Sequence, residues 1–164
     1  MTQSASDMSN RPHFSAMLER CKSLPPLKTA LVCPHEATAL GGALEARDLG
    51  LIEPVLVGEP ERIHRVASDN GFDIEGLTIV DAEGEQGAAH AGVDCVTDGR
   101  AQAIMKGDVH SDTYLSAVIR RDNGMRTASR TSHCFVMDVP GWAKPVIITD
   151  AALNVAPDVK NRIA

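Results

Sequence analysis

The sequence predicts an α/β fold: a three-layer αβα arrangement around a mostly parallel sheet, with an antiparallel hairpin late in the chain. Four short apolar runs, Thr29 to Cys33, Pro54 to Val57, Leu77 to Val80 and Ala101 to Met105, have the length and composition of buried strands. Each is followed by a stretch with helical spacing. Strands alternating with helices of about 10 to 15 residues form βαβ units, with helices on both faces of a parallel sheet. Two further runs, Ser132 to Val139 and Pro145 to Thr149, are separated only by Pro140 to Lys144. A parallel pair needs a crossover of about a dozen residues, so this pair reads as antiparallel and the sheet as mixed.

Taken in order, residues 1–11 are small and polar and read as a disordered tail or linker, leaving 12–164 as one domain with a real core. His13 to Leu24 places Phe14, Met17, Leu18 and Cys21 at helical spacing, and Pro25-Pro26 stops that helix. Pro34 ends the first strand. Glu36 to Leu49 is an Ala- and Leu-rich helix, with Gly50 where a helix C-terminus favours glycine. Gly58 turns the second strand into a helix from Pro60 to Asn70, closed by Gly71. A weak, Ala/Gly-rich helix runs from Glu85 to Thr97, and the helix after the fourth strand spans Asp112 to Arg121. Asp122 to Thr131 is a polar loop carrying Arg126 and Arg130. Pro157-Asp158 opens a last helix in the right way, with proline in its first turn. The chain stops about two turns into it, so a C-terminal part is expected to be missing.

With 43% hydrophobic and 23% charged residues, the composition is that of a soluble globular protein, and 3% aromatics means a core of Ala, Val, Leu, Ile and Met. A net charge of −6 argues against nucleic acid or an anionic membrane as partner, though a local cluster can still hold an anionic substrate. No run approaches the roughly 18 apolar residues of a membrane span. Met1 to Asn10 lacks the basic and apolar regions of a signal peptide. The cysteines, Cys21, Cys33, Cys95 and Cys134, form no C-x-x-C pair. Neither a disulfide framework nor a zinc site is expected, and the pattern suits the cytoplasm.

The chemistry is expected around Ala103 to Asp112. A strand ending in Lys106-Gly107-Asp108 and turning into a helix start near Ser111 puts a cation and free N–H groups at one point, which suits an anion. Ligands of open α/β sheets bind at strand carboxyl ends near a topological switch point. Asp138 and Thr149-Asp150 also end strands, and His110, Arg126, Arg130, Ser132 and His133 complete a cationic, hydrogen-bonding group. Each has a plainer alternative. Asp138 is a turn residue or a base; Asp150 with Asn154 is a cap or a contact. His133 is a core histidine or a ligand; the two arginines are a solvated face or anion contacts. His110 and His133 with Asp108 or Asp150 could ligate a metal, but no spacing requires it. Cys134 lies mid-strand without a sequence-defined base. His13, His35, His64 and His90 show no usable clustering.

The phrases IMKGDVHSDTYLSAVIRRDNGMRT (Ile104 to Thr127), SHCFVMDVPG (Ser132 to Gly141) and ITDAALNVAPD (Ile148 to Asp158) resemble the phosphate acetyltransferase/phosphate butyryltransferase family. KTALVCPHEATALGGALEARDLGLIEPVLVGEPERI, Lys28 to Ile63, looks like that family's first two strand–helix units, so the resemblance runs from about Phe14 to the end. It looks especially like the form fused behind an enoyl-CoA hydratase domain, which would place the residues before Arg11 at the junction.

The resemblance implies a fold of the isocitrate/isopropylmalate dehydrogenase type, usually dimeric, with this chain as the N-terminal part of the acyltransferase domain. The implied reaction is acyl-CoA plus phosphate giving acyl phosphate plus CoA, with CoA as substrate, no cofactor and no metal. By the resemblance, Lys106, Gly107, Asp108, His110 and Ser111 line the cleft, joined by Ser132 and His133, then Asp150 and Asn154, while Arg126 contacts phosphate or CoA. The thiol base is expected beyond Ala164. Acetyl-specific members carry an arginine about where Leu115 and Ser116 stand, so acyl length stays open. Two other readings remain: a non-catalytic CoA-ester-binding or dimerisation module, and an NAD-dependent dehydrogenase of the same fold. Against the latter, no glycine-rich dinucleotide fingerprint follows a strand.

Overall fold

Strand β1 (Leu27–Val32) is the element the others are laid against, and Ala30, Leu31 and Val32 have no exposed surface. The computed structural model describes residues 11–122, 125 and 131–149. The chain divides into two units, Pro25–Arg126 and Met1–Leu24 with Thr127–Ala164.

In the first unit the order is β1, α2 (Ala37–Asp48), β2 (Ile52–Gly58), α3 (Pro60–Asn70), β3 (Thr78–Asp81), α4 (Gly84–Thr97), β4 (Ala103–Lys106) and α5 (Ser111–Val118). The strands form a parallel sheet in the spatial order β3-β2-β1-β4. The chain thus builds outward from β1 to β3, then returns past both to add β4 on the far side. A right-handed crossover that reverses direction must change face. The cores show that change. Leu31 and Leu56 pack with Leu40, Ala43 and Leu44 of α2 and Ile63 and Ala67 of α3. Val32 packs with Ala88, Ala89 and Val93 of α4 and Ala117 of α5, while Ala30, Val55 and Val57 surround Cys95. Helices therefore cover both faces, and the switch point lies between β1 and β4.

The register brings the carboxyl ends level: Val32 opposes Val57 on one side and Lys106 on the other, and Gly58 opposes Asp81. All four connections that follow the strands emerge at one edge.

The Ala/Gly-rich α4, weak by propensity, is held by packing: Ala88, Ala89, Gly92, Val93 and Cys95 are buried. A Cβ on Gly92 would come within 2.5 Å of Val32 Cγ2 and 3.1 Å of Ile104 Cδ1, so the missing side chain sets how closely α4 approaches β1 and β4. Gly71, by contrast, ends α3 in the left-handed conformation at φ 65°.

In the second unit, α1 (Pro12–Cys21) is joined by β5 (Cys134–Met137) and β6 (Val146–Thr149). The hairpin is antiparallel, as its eight-residue connection requires, with Cys134 opposite Thr149 and Met137 opposite Val146. The expectation that it joins one mixed sheet is corrected for the described residues: among them it forms a separate two-stranded sheet. A strand inside a parallel sheet is covered on both faces, whereas Phe135, Val136, Met137, Ile147 and Ile148 are all exposed.

Asp138, just past β5, is 4% exposed. Its Oδ2 accepts the backbone N–H groups of His13 at 2.9 Å and Phe14 at 3.0 Å. A carboxylate there satisfies two of the amides that lack intrahelical partners and complements the helix dipole. Asp138 is a cap delivered from the far end of the sequence.

Two substitutions in α4 should move stability in opposite directions. Gly92→Ala should destabilise the chain by about 1–3 kcal/mol, the usual cost of overpacking. Gly87→Ala, where a Cβ meets nothing within 4 Å, should stabilise it by about 0.5–1 kcal/mol through helix propensity. Urea unfolding followed by circular dichroism decides; two effects of the same sign would reject the packing role of Gly92.

Candidate active site at the switch point

The turn after β4 is built against the end of β1. Gly107 N–H donates to the Val32 carbonyl at 2.8 Å, and Asp108 N–H to the Cys33 carbonyl at 2.7 Å. A Cβ on Gly107 would lie 2.5 Å from both carbonyl oxygens, so only glycine fits. These two amides are not free for an anion, because the β1–β4 ladder continues past the strands and takes them. Val109 N–H likewise donates to the Gly107 carbonyl. The amides left over are those of Ser111, Asp112 and Thr113, which open α5 and have no intrahelical carbonyl to reach.

Lys106, Asp108, Val109, His110 and Ser111 line an open cleft of about 340 Å³, together with Glu85 from the first turn of α4. Glu85 closes the other wall. Its Oε2 accepts the backbone N–H of His110 at 2.8 Å, and both carboxylate oxygens lie within 2.9 Å of His110 Nδ1. Those hydrogen bonds, the backbone one first, hold the Glu85 carboxyl below its ordinary value. The same side-chain bond, reinforced by the carboxylate charge, raises His110.

Neighbouring strand ends add groups that the sequence reading passed over. Arg62, in the first turn of α3, sits 3.9 Å from both Glu59 Oε1 and Asp108 Oδ2. His35, reached through the turn after β1, has a buried Nε2 with no partner among the described residues. A Cβ on Gly58 would lie 2.6 Å from that nitrogen. Burial, then the Arg62 charge, pulls the His35 pKa down, so the ring is neutral near pH 7. Cys33 adopts a left-handed backbone (φ 51°), uncommon for a side chain with a Cβ. Burial, with the charge of Glu85 adding to it, pushes its thiol up to about 11. Cys33 is thus no nucleophile at neutral pH. His90, unassigned from sequence, meets Arg120 at 3.1 Å in a separate groove between α4 and α5.

Of the ten expected contacts, Lys106, Gly107, Asp108, His110 and Ser111 converge. Ser132 and His133 belong to the other unit, where the His133 ring meets Phe135 edge-to-face at 4.0 Å and its buried Nδ1 has no partner among the described residues. Arg126, Asp150 and Asn154 fall outside the described residues. No group of three or more His, Cys, Asp and Glu among the described residues is arranged to hold a metal ion. No helix among them is long and apolar enough to cross a membrane.

A cysteine-reactivity experiment tests this packing. In the folded chain Cys134, which is exposed, should react first with a thiol-directed disulfide reagent, and Cys21, half-buried, more slowly. Cys33 and Cys95 should react only on unfolding. Prompt labelling of Cys33 at pH 7.5 would show that the turn after β1 is open.

No family model matches the chain. Among curated proteins it is 41% identical over 150 residues to the phosphate acetyltransferase of Rickettsia typhi, covering 92% of this chain and 43% of that one. It is 32% identical over 151 residues to the phosphate butyryltransferase of Clostridium beijerinckii, covering 92% of this chain and 50% of that one. A solved phosphotransacetylase from Streptococcus pyogenes has the same fold, with a TM-score of 0.74 at 17% identity over 94% of this chain and 55% of that one. The chain spans about half the length of the curated relatives it matches. Over nearly all of its own length, then, it is similar to phosphate acetyltransferases and phosphate butyryltransferases.

Proposed function

We propose that the chain carries one wall of the active site of a short-chain phosphate acyltransferase, which converts acyl-CoA and phosphate to acyl phosphate and CoA. The observation that carries this reading is a coincidence of place. The similarity to acetyl- and butyryl-transferring relatives extends over 92% of the chain, and the switch point of the fold it covers is the turn where Lys106, His110 and the α5 amides meet.

In this reading phosphate binds between Lys106 Nζ, His110 and the first amides of α5. A phosphate oxygen attacks the thioester carbonyl, a C–O bond forms, the C–S bond breaks, and CoA leaves as a thiolate that takes up a proton. Run backwards, the CoA thiol, with an ordinary pKa near 8.5, gives up that proton before attacking the acyl phosphate. The cleft supplies cations for the phosphate that stays bound as the charge moves. Glu85 and Asp108 balance those cations, which keeps them oriented without a net field that would hold product. The base for the thiol, acyl length, a dimer, a cytoplasmic setting and a hydratase fusion belong to the same reading of the whole protein.

The test is phosphate-dependent release of CoA thiol from acetyl-CoA and butyryl-CoA by the purified chain, beside equilibrium binding of CoA and of NAD. Turnover or CoA binding is expected, and Lys106→Ala should weaken phosphate binding about tenfold or more while leaving the melting temperature unchanged, as loss of a charge-assisted contact does. NAD binding without CoA binding would overturn the reading in favour of a dehydrogenase. CoA binding without turnover, unaffected by phosphate, would favour the binding-module alternative.

A further inference from the structure

We propose that Glu85 is a positioning residue: it fixes the His110 imidazole through Nδ1 so that Nε2 acts with Lys106 as a donor to the oxygens of a tetrahedral dianion. The proposal deepens the reading of the same cleft as a phosphate site and rests on it.

The geometry is a clamp from one helix start to another. Glu85 stands in the first turn of α4, and His110 is the residue immediately before α5. One carboxylate holds both the main chain of His110, at 2.8 Å from its N–H, and the side chain, at 2.8 and 2.9 Å from Nδ1. The ring therefore cannot turn without breaking two contacts, and Nε2 is the nitrogen left to meet a ligand. The His110 side chain is 79% exposed, so that nitrogen is open to solvent, and it shares the cleft with Lys106. A second carboxylate oxygen would ordinarily repel an anion. Below the raised pKa of His110 that negative charge is matched by the imidazolium it stabilises, so there the pair presents a hydrogen-bond donor without presenting net negative charge.

The groups acting on His110 come from each neighbouring element. Glu85 of α4 and Asp112 of α5 favour its protonated form, while Lys106 of β4 opposes it. Arg62 of α3 acts on Glu85 in turn. Above the ordinary 6.5 of a histidine, a ring with a raised pKa is still charged where an unassisted one is neutral. The raised His110 favours the folded clamp fully below 6.5, and that contribution fades as pH rises through its folded value. The lowered Glu85 favours it above its ordinary 4.5, and that contribution fades as pH falls through its folded value. The clamp should be tightest between those limits.

The experiment measures His110 titration by NMR and sulfate affinity by calorimetry from pH 5 to 9, for the wild-type chain and Glu85→Gln. Sulfate has the shape and charge of phosphate dianion but does not titrate in this range; inorganic phosphate at pH 7.5 is the second probe. In the wild type, affinity should fall as His110 loses its proton. In Glu85→Gln the His110 pKa should move down, and the pH at which affinity falls should move down with it. His110→Gln keeps the Glu85 contact to the main chain and should abolish the pH-dependent fall. Adding Glu85→Gln to it should change the profile no further, as residues acting through one group require. A Glu85→Gln profile that stays in place while the wild type binds would overturn this proposal alone. A wild-type chain that binds neither anion would overturn both it and the phosphate reading.

Discussion

Two hydrogen bonds hold the site together: Gly107 N–H to the Val32 carbonyl and Asp108 N–H to the Cys33 carbonyl. They tie the turn after β4 to the turn after β1, at the one place in the sheet where the chain reverses its direction of growth. With no room for a Cβ at Gly107, the two backbones meet directly. Everything downstream inherits that contact. Lys106 is held at the sheet edge, His110 is set one residue before α5, and α5 starts at a fixed height above the sheet.

The same contact explains why the cleft is lined by side chains and helix amides rather than by the glycine's own N–H. A short Lys-Gly-Asp turn looks like a backbone cradle for an anion. In this fold the amides of that turn are claimed by the neighbouring strand, and the donors that remain lie further along the chain. Charge is handled similarly. Three acids, Glu59, Glu85 and Asp108, interleave with Arg62, Lys106 and His110. An acidic chain thus assembles a locally balanced site from oppositely charged pairs instead of an excess of lysines.

Much of this was legible in the sequence. Each described strand and helix falls within a few residues of its expected place, because buried parallel strands and their covering helices leave strong apolar periodicity. The turn at 106–111 could be located for the same reason: it sits where that periodicity breaks beside a cation. What could not be read is what strand order decides. Glu85, Arg62 and His35 follow three other strands, and only the order β3-β2-β1-β4 with level carboxyl ends gathers them at one edge. Their shared signal is position: each stands within four residues of a strand's carboxyl end. Asp138 illustrates the same limit, since a helix cap lying 125 residues away from its helix has no local signature. Gly92 reads as a helix weakness until its distance from Val32 is known.

The chemistry of the cleft depends on where an anion binds. Amide shifts of the isotopically labelled chain, followed while inorganic phosphate is added, test this most directly. Binding at the switch point should give changes centred on His110, Ser111 and Asp112, with Glu85 responding across the cleft and the hydrogen-bonded Gly107 amide moving little. Changes centred instead on the α4–α5 groove around His90 and Arg120, or none at saturating phosphate, would contradict it.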